Sequence, residues 1–171
     1  MTDIAVRNQQ RRLKVNIRLL RDLAERALSI ITDCRARSLQ GFAPRCSRAG
    51  GGQPFKLPAL QGLSVVLVND ETVAELNERF HHTRGPTDIL AFEYDGLGEL
   101  IISTERAVAH AKRFRTTPGR ELALYVVHGI LHLHGHDDLK PGQRQRMRAA
   151  ERRLLACLGR SFDLPKLVAS K

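Results

Sequence analysis

The chain has no tryptophan and only two tyrosines and six phenylalanines among its 171 residues. Such scarcity argues against the bulky apolar anchors by which a helix lies in a membrane surface. Long hydrophobic runs are missing too: the longest aliphatic stretch, LSVVLV, falls far below the ~20 residues a bilayer-spanning helix needs. The N-terminal MTDIAVRNQQRRLKVN contains no apolar core of a secretory signal. Cys34, Cys46 and Cys157 are odd in number and have no CxxC spacing, so neither a disulfide framework nor a thiolate zinc knuckle is expected. These absences predict a reduced, cytoplasmic protein with no membrane partner. Acid is also in short supply. With 18 Asp plus Glu against 28 Lys plus Arg, the net charge is +10, and the pI near 10.4 makes a nucleic acid the first partner to consider.

What is present suits one folded domain over 1–171, long enough to bury roughly two thirds of its unfolded surface without staples. IAVRN reads as a short strand, and VNIRLLRDLAERALSII spaces Ile17, Leu20, Ala24, Ala27, Leu28 and Ile31 along one helical face. Between Cys34 and Gly62 lie a triple glycine, three prolines, no acid, and Arg35, Arg37, Arg45, Arg48 and Lys56. That composition predicts a flexible basic loop at about 34–62, either a contact for a polyanion or a solubilising insertion. LSVVLV is suited to a buried strand, and Asn69 or Asp70 can cap the helix ETVAELNERF. DILAFEY and ELIIS are further strands separated by the turn DGLG, and a helix follows from about Thr104 to Phe114. Thr117 and Pro118 start the next helix, and Gly135 ends it. The last helix, QRQRMRAAERRLLACL, turns Met147, Ala150, Leu154, Leu155 and Leu158 inward. The expected fold class is α/β, more closely α+β: a small mixed sheet from strands near 4–7, 63–68, 88–94 and 99–103, flanked by helices.

The segment HGILHLHGHDD, residues 128 to 138, holds four of the seven histidines. On a helix, His128 and His132 leave the same face one turn apart, with Cβ atoms about 5 to 6 Å from each other. By itself such a pair reads equally well as two hydrogen-bonded core residues. A third candidate follows, however: Gly135 permits a bend, and Asp138 three residues later can return a carboxylate to the open side of an ion. Three protein ligands with one position free is the pattern of catalytic rather than structural zinc. His134 points elsewhere around the helix, about 120° from His128 at ~100° per residue. Asp137 is placed to orient a ligand's N–H. Glu121 sits two turns before His128, about 10 Å along the axis, where the helix dipole favours a carboxylate but an ion is out of reach. Metzincin proteases of similar spacing carry a general-base Glu after the first His, and here that position is Gly129. Phosphodiester cleavage depends less on such a base, so the charge and the site together favour RNA over peptide.

The same residues resemble the YbeY family of bacterial single-strand endoribonucleases, whose hallmark is HGxLHLxGYDH. His128, Gly129, Leu131, His132, Leu133, Gly135 and Asp137 match it. LNERFHHTRGPTDILAF, from Leu76 to Phe92, is similar to the family's LNxxYRxxxxPTDVLSF, and LGELIIS to its LGDIxIS. The likeness covers about residues 60 to 160. It implies the α/β architecture with a metalloprotease-like metal helix packed beneath the sheet. It further implies a divalent metal, zinc first, held by His128, His132 and Asp138; precursor ribosomal RNA as substrate in maturation and quality control; and contacts with the small ribosomal subunit and an Era-type GTPase.

Two departures from the family pattern bear on chemistry. Its third metal-binding His falls on Asp138, whose charge makes the ion a weaker Lewis acid and leaves ferrous iron and nickel compatible with the donor set. Its cleft Arg falls on His81, beside Phe80 in the family's Tyr position. His81 could transfer a proton near neutral pH, bind phosphate when charged, or be an exposed turn residue. Arg79 or Arg84 is then left to compensate in RNA binding. The alternatives are a metalloprotease-like hydrolase and a non-catalytic RNA-binding ribosome assembly factor whose metal only holds the fold.

Overall fold

The computed structural model describes residues 2–36 and 60–169. The expected basic loop falls mostly on 37–59, outside the described residues. The elements run β1 (Asp3–Asn8), α1 (Ile17–Ala36), β2 (Gly62–Val68), α2 (Asp70–His81), β3 (Ile89–Tyr94), β4 (Leu97–Ser103), α3 (Thr104–Phe114), α4 (Pro118–Leu133) and α5 (Pro141–Leu158), then a 3-10 turn at Leu164–Leu167. The sheet order is β1-β2-β4-β3, with β1, β2 and β4 parallel and β3 antiparallel at the edge. The mixed α/β sheet expected from sequence is therefore present.

β2 is covered on both faces, which is why it reads as one aliphatic run instead of an alternation. Leu63, Val65 and Leu67, with Leu100 and Ile102 of β4, join a core completed by α1, α4 and α5. On the opposite face Val66, Val68, Leu90 and Ile101 pack with Val73 of α2. β4 begins two residues before its expected start at 99, because the β3–β4 hairpin turns on Asp95 and Gly96 alone, at φ 50° and 83°. Two positive-φ residues form the tight hairpin turn whose twist matches that of the strands.

Capping follows the sequence. The Asn69 side chain accepts from Thr72 N, Ser103 from Arg106 N, and Thr117 from Arg120 N at the N-termini of α2, α3 and α4. The periodicity gave no hint of the C-terminal tail. There Leu164 and Leu167 are buried, and Val15 bridges Val168.

α4 positions the site. Its helix is buried nearly throughout, with Leu122, Ala123, Val126, Val127, Ile130 and Leu131 at zero exposure. Gly129 lies where α4 presses hardest on the sheet: a Cβ there would come within 2.6 Å of both Ile89 Cδ1 and Leu100 Cδ2. Any larger residue there would have to displace those two side-chain ends.

A candidate metal centre at the end of α4

α4 ends in a Schellman motif. Gly135 N donates to His132 O, His136 N donates to Leu131 O, and Gly135 stands at φ 84°. The reversal carries the chain back along the helix. Asp137 then fixes the return: Oδ1 accepts from the backbone N–H groups of Asp138 and Leu139, and Oδ2 accepts from Gln143 Nε2 in the first turn of α5. Its carboxylate is occupied in shaping the loop, so the expectation that Asp137 orients a histidine N–H is corrected. A short polar side chain that can satisfy two nearby backbone donors favours the local turn.

With the loop so held, Asp138 faces the two histidines. His128 Nε2 and His132 Nε2 are 2.9 Å apart, and His132 Nε2 is 3.8 Å from Asp138 Oδ1. One ligand atom from each of the three lies within 4.8 Å of the others, and all three side chains are partly buried. Tetrahedral zinc with bonds of about 2.0–2.2 Å sets its donors about 3.3 Å apart, a spacing that this cluster brackets. Two imidazole nitrogens and a carboxylate oxygen are also the donor types such an ion takes, and three donors leave a position for substrate or water. The residues fit a divalent cation.

Protonation supports the same reading. His128 Nδ1 is 2.7 Å from Glu151 Oε1, so the ring's N–H is directed at the carboxylate and Nε2 is left as the lone-pair nitrogen. Burial, then the neighbouring His128, pushes the His132 ring below the ordinary histidine range, against the opposing pull of Asp138. A ring kept neutral is a ring ready to ligate.

Glu151 escaped the sequence reading. It is the single acid in α5, among Arg144, Arg146, Arg148, Arg152 and Arg153. It also stands four residues from both Met147 and Leu155, which are buried. One acid on the inward edge of an otherwise basic helix was the available signal.

His128 and His132 open into a cavity of about 370 Å³ also lined by His81, Asn77, Thr87 and Ile89. His81, at the end of α2, thus lines the same cavity as the two histidines, whereas neither Arg79 nor Arg84 does. Arg84 is exposed, with Nε 3.5 Å from Glu78 Oε1, and Arg79 lies over the Phe80 ring. His134 turns away, its Nδ1 2.8 Å from Ile130 O. Glu121 is buried, and its carboxylate accepts from the Thr116 hydroxyl. At Asp88, just before β3, burial raises the carboxyl above its ordinary value although His110 and Arg106 pull it down. Tyr125 OH lies 2.9 Å from His110 Nδ1, and Asp88 Oδ2 lies 3.6 Å from the same nitrogen.

Fold and site together define a class: an α/β protein carrying a His-His-Asp cluster at the end of a buried helix, open on one side to a cleft. The sequence profile described as Endoribonuclease YbeY matches residues 47–159. An Endoribonuclease YbeY of Symbiobacterium thermophilum is 34% identical over 157 residues, 84% of this chain and 86% of the relative. That of Thermodesulfovibrio yellowstonii is 29% identical over 164 residues, 91% and 96% of the two chains. The solution structure of TM1509 from Thermotoga maritima shares the fold at a TM-score of 0.55 and 22% identity, covering 94% of each chain. The chain belongs to the YbeY endoribonuclease family. No helix among the described residues is long and apolar enough to cross a membrane.

Proposed function

We propose that the protein is a metal-dependent, single-strand-specific endoribonuclease that acts on precursor ribosomal RNA in maturation and quality control. On this reading it works in the cytoplasm beside the small ribosomal subunit and an Era-type GTPase, with zinc as its ion. The observation that carries the reading is the convergence of His128, His132 and Asp138 donor atoms within 4.8 Å, in a member of an endoribonuclease family.

When bound, the ion supplies Lewis acidity at the phosphodiester and makes water more acidic. His128 and His132 would hold it through ring nitrogens and Asp138 through a carboxylate oxygen. Glu151 keeps the His128 proton on Nδ1, so the ligating nitrogen stays bare. His81 lines the cleft, where it is the side chain placed to exchange a proton with the substrate or to contact a phosphate oxygen. Arg79 and Arg84, on the exposed end of α2 and the turn after it, draw phosphate toward the opening as part of a +10 chain.

The same geometry weighs against peptide hydrolysis. A glutamate after the first histidine would have its Cβ at Gly129, 2.6 Å from the side-chain ends of Leu100 and Ile89, which would have to shift to admit it. The test is digestion of single-stranded RNA and of casein by the purified protein, with and without removal of its metal. RNA cleavage that is lost on stripping while helical circular dichroism persists supports a catalytic ion. Casein cleavage would point to the protease-like alternative, and RNA binding without cleavage to an assembly factor.

A further inference from the structure

The chain holds eight Phe and Tyr side chains and no Trp, and three of the eight form one tier beside the cleft. Along β3, Leu90, Phe92 and Tyr94 share the face turned to α2. Leu90 is buried beneath that helix, but α2 stops at His81, so the row runs from core to solvent. Phe80 meets Phe92 edge to face at 5.2 Å between centroids, and Phe92 stacks on Tyr94 at 6.2 Å and 21°. Phe80 remains 48% exposed and Tyr94 56%. Leu97, opposite Tyr94 across the hairpin, is also exposed. Among the described residues, five large hydrophobic side chains are exposed, and these three share one patch.

If the row served only to edge the smaller core, it would keep the apolar surface of two rings in water without return. Three further observations point to an occupant. The Arg79 guanidinium lies 5.5 Å over the Phe80 ring, placing a cation within the tier. Glu93, the acid on the same strand, is occupied in the hairpin turn, where it accepts from Gly96 N. Most tellingly, the tier is continuous with the cleft: the His81 ring is 6.1 Å from Phe92 at 33°, and His81 lines the cavity of His128 and His132.

We propose that Phe80, Phe92 and Tyr94, with Arg79, form a base-stacking platform that holds unpaired nucleobases of the RNA strand next to the cleavage cleft. Exposed rings in a row with a cation among them are how single strands are gripped without reading sequence, because every base presents a π face. A duplex hides those faces. The platform therefore makes the enzyme select single strands and leaves base identity open. This inference rests on the endoribonuclease reading above.

The test is binding, read before any cleavage, of a 2′-O-methyl RNA decamer and of the same decamer with its central units abasic, to wild type, Phe80→Ala and Tyr94→Ala. Each alanine variant is expected to weaken the intact decamer about tenfold, within what one base–aromatic stack contributes. The abasic decamer, with phosphates unchanged, is expected to bind wild type and variants alike. Tyr94→Phe keeps the ring and is expected to restore affinity, and circular dichroism melting of each variant checks that it folds. Undiminished binding by both alanine variants overturns the platform, as does an equal loss on intact and abasic strands, which would mark a backbone contact or a surface for a protein partner. RNA cleavage by wild type is measured alongside. If it persists while the platform test fails, the endoribonuclease reading stands; if wild type neither binds nor cleaves RNA, both fall.

Discussion

Glu151 offers the most direct trial of the proposed metal site, because it contacts the proposed ligand His128 without being one itself. Its Oε1 lies 2.7 Å from His128 Nδ1, and both side chains are mostly buried. Replacing it by alanine leaves Nδ1 without its acceptor, and the ring can then carry its proton on Nε2 and turn out of line. Removing such an outer partner typically weakens metal binding about 10- to 100-fold, or about 1.4 to 2.7 kcal/mol. At fixed free zinc the metal's stabilisation of the fold shrinks by the same amount. For a chain of this size that is about 3–10 °C less metal-induced rise in Tm. The apo-protein also loses a charge-assisted bond between α4 and α5, so the informative quantity is the difference between loaded and apo Tm within each variant. Glu151→Gln can still accept through its amide oxygen, without the charge, and should fall between wild type and alanine. Zinc competition against a chelating dye supplies the affinity independently. If Glu151→Ala binds zinc as wild type does and shows an undiminished metal-induced shift, the orienting role is refuted.

Asp138→Ala should lose zinc in elemental analysis while keeping its circular dichroism; equal metal content in variant and wild type would remove Asp138 from the ligand set. His81→Ala should retain metal but cleave RNA more slowly, and an unaltered rate excludes His81 from the chemistry. Gly129→Ala places a Cβ 2.6 Å from Leu100 and Ile89 and should cost about 1–2 kcal/mol in urea unfolding through overpacking; no change would mean the contact yields freely. Asp88 has a pH signature. Because burial raises its carboxyl, the ionised form costs stability, a cost absent below the ordinary carboxylate range and present once pH rises through the folded value. Asp88→Asn should therefore raise Tm at about pH 7.5 and lose that advantage near pH 4, and a gain that persists in acid would contradict the sign.

Local rules had already placed much of this molecule. Helical periodicity, the caps at Asn69 and Thr117, and the glycine stop at 135 require interactions within a few residues, so a one-dimensional pattern records them. His128 and His132 belong to the same category, since one helical turn fixes their separation. The reach of Asp138 was legible as well, because it needs only one glycine bend and a seven-residue loop. Asp137 was misassigned because two readings of a carboxylate beside a turn differ only in whether backbone N–H groups or a ring N–H come nearer, which spacing alone does not decide.

The sequence by itself determined the helix that presents two imidazoles, the strand run that supports it, and the charge that favours a polyanion. Tertiary structure alone decided that Glu151, 23 residues from His128, holds its ring, that His81 crosses from α2 to the same cleft, and that Phe80, Phe92 and Tyr94 meet. Those meetings depend on the angles at which α2 and α5 pack on the sheet and α4. Such angles are set by the summed shape of many buried side chains, a quantity that no short stretch of chain contains.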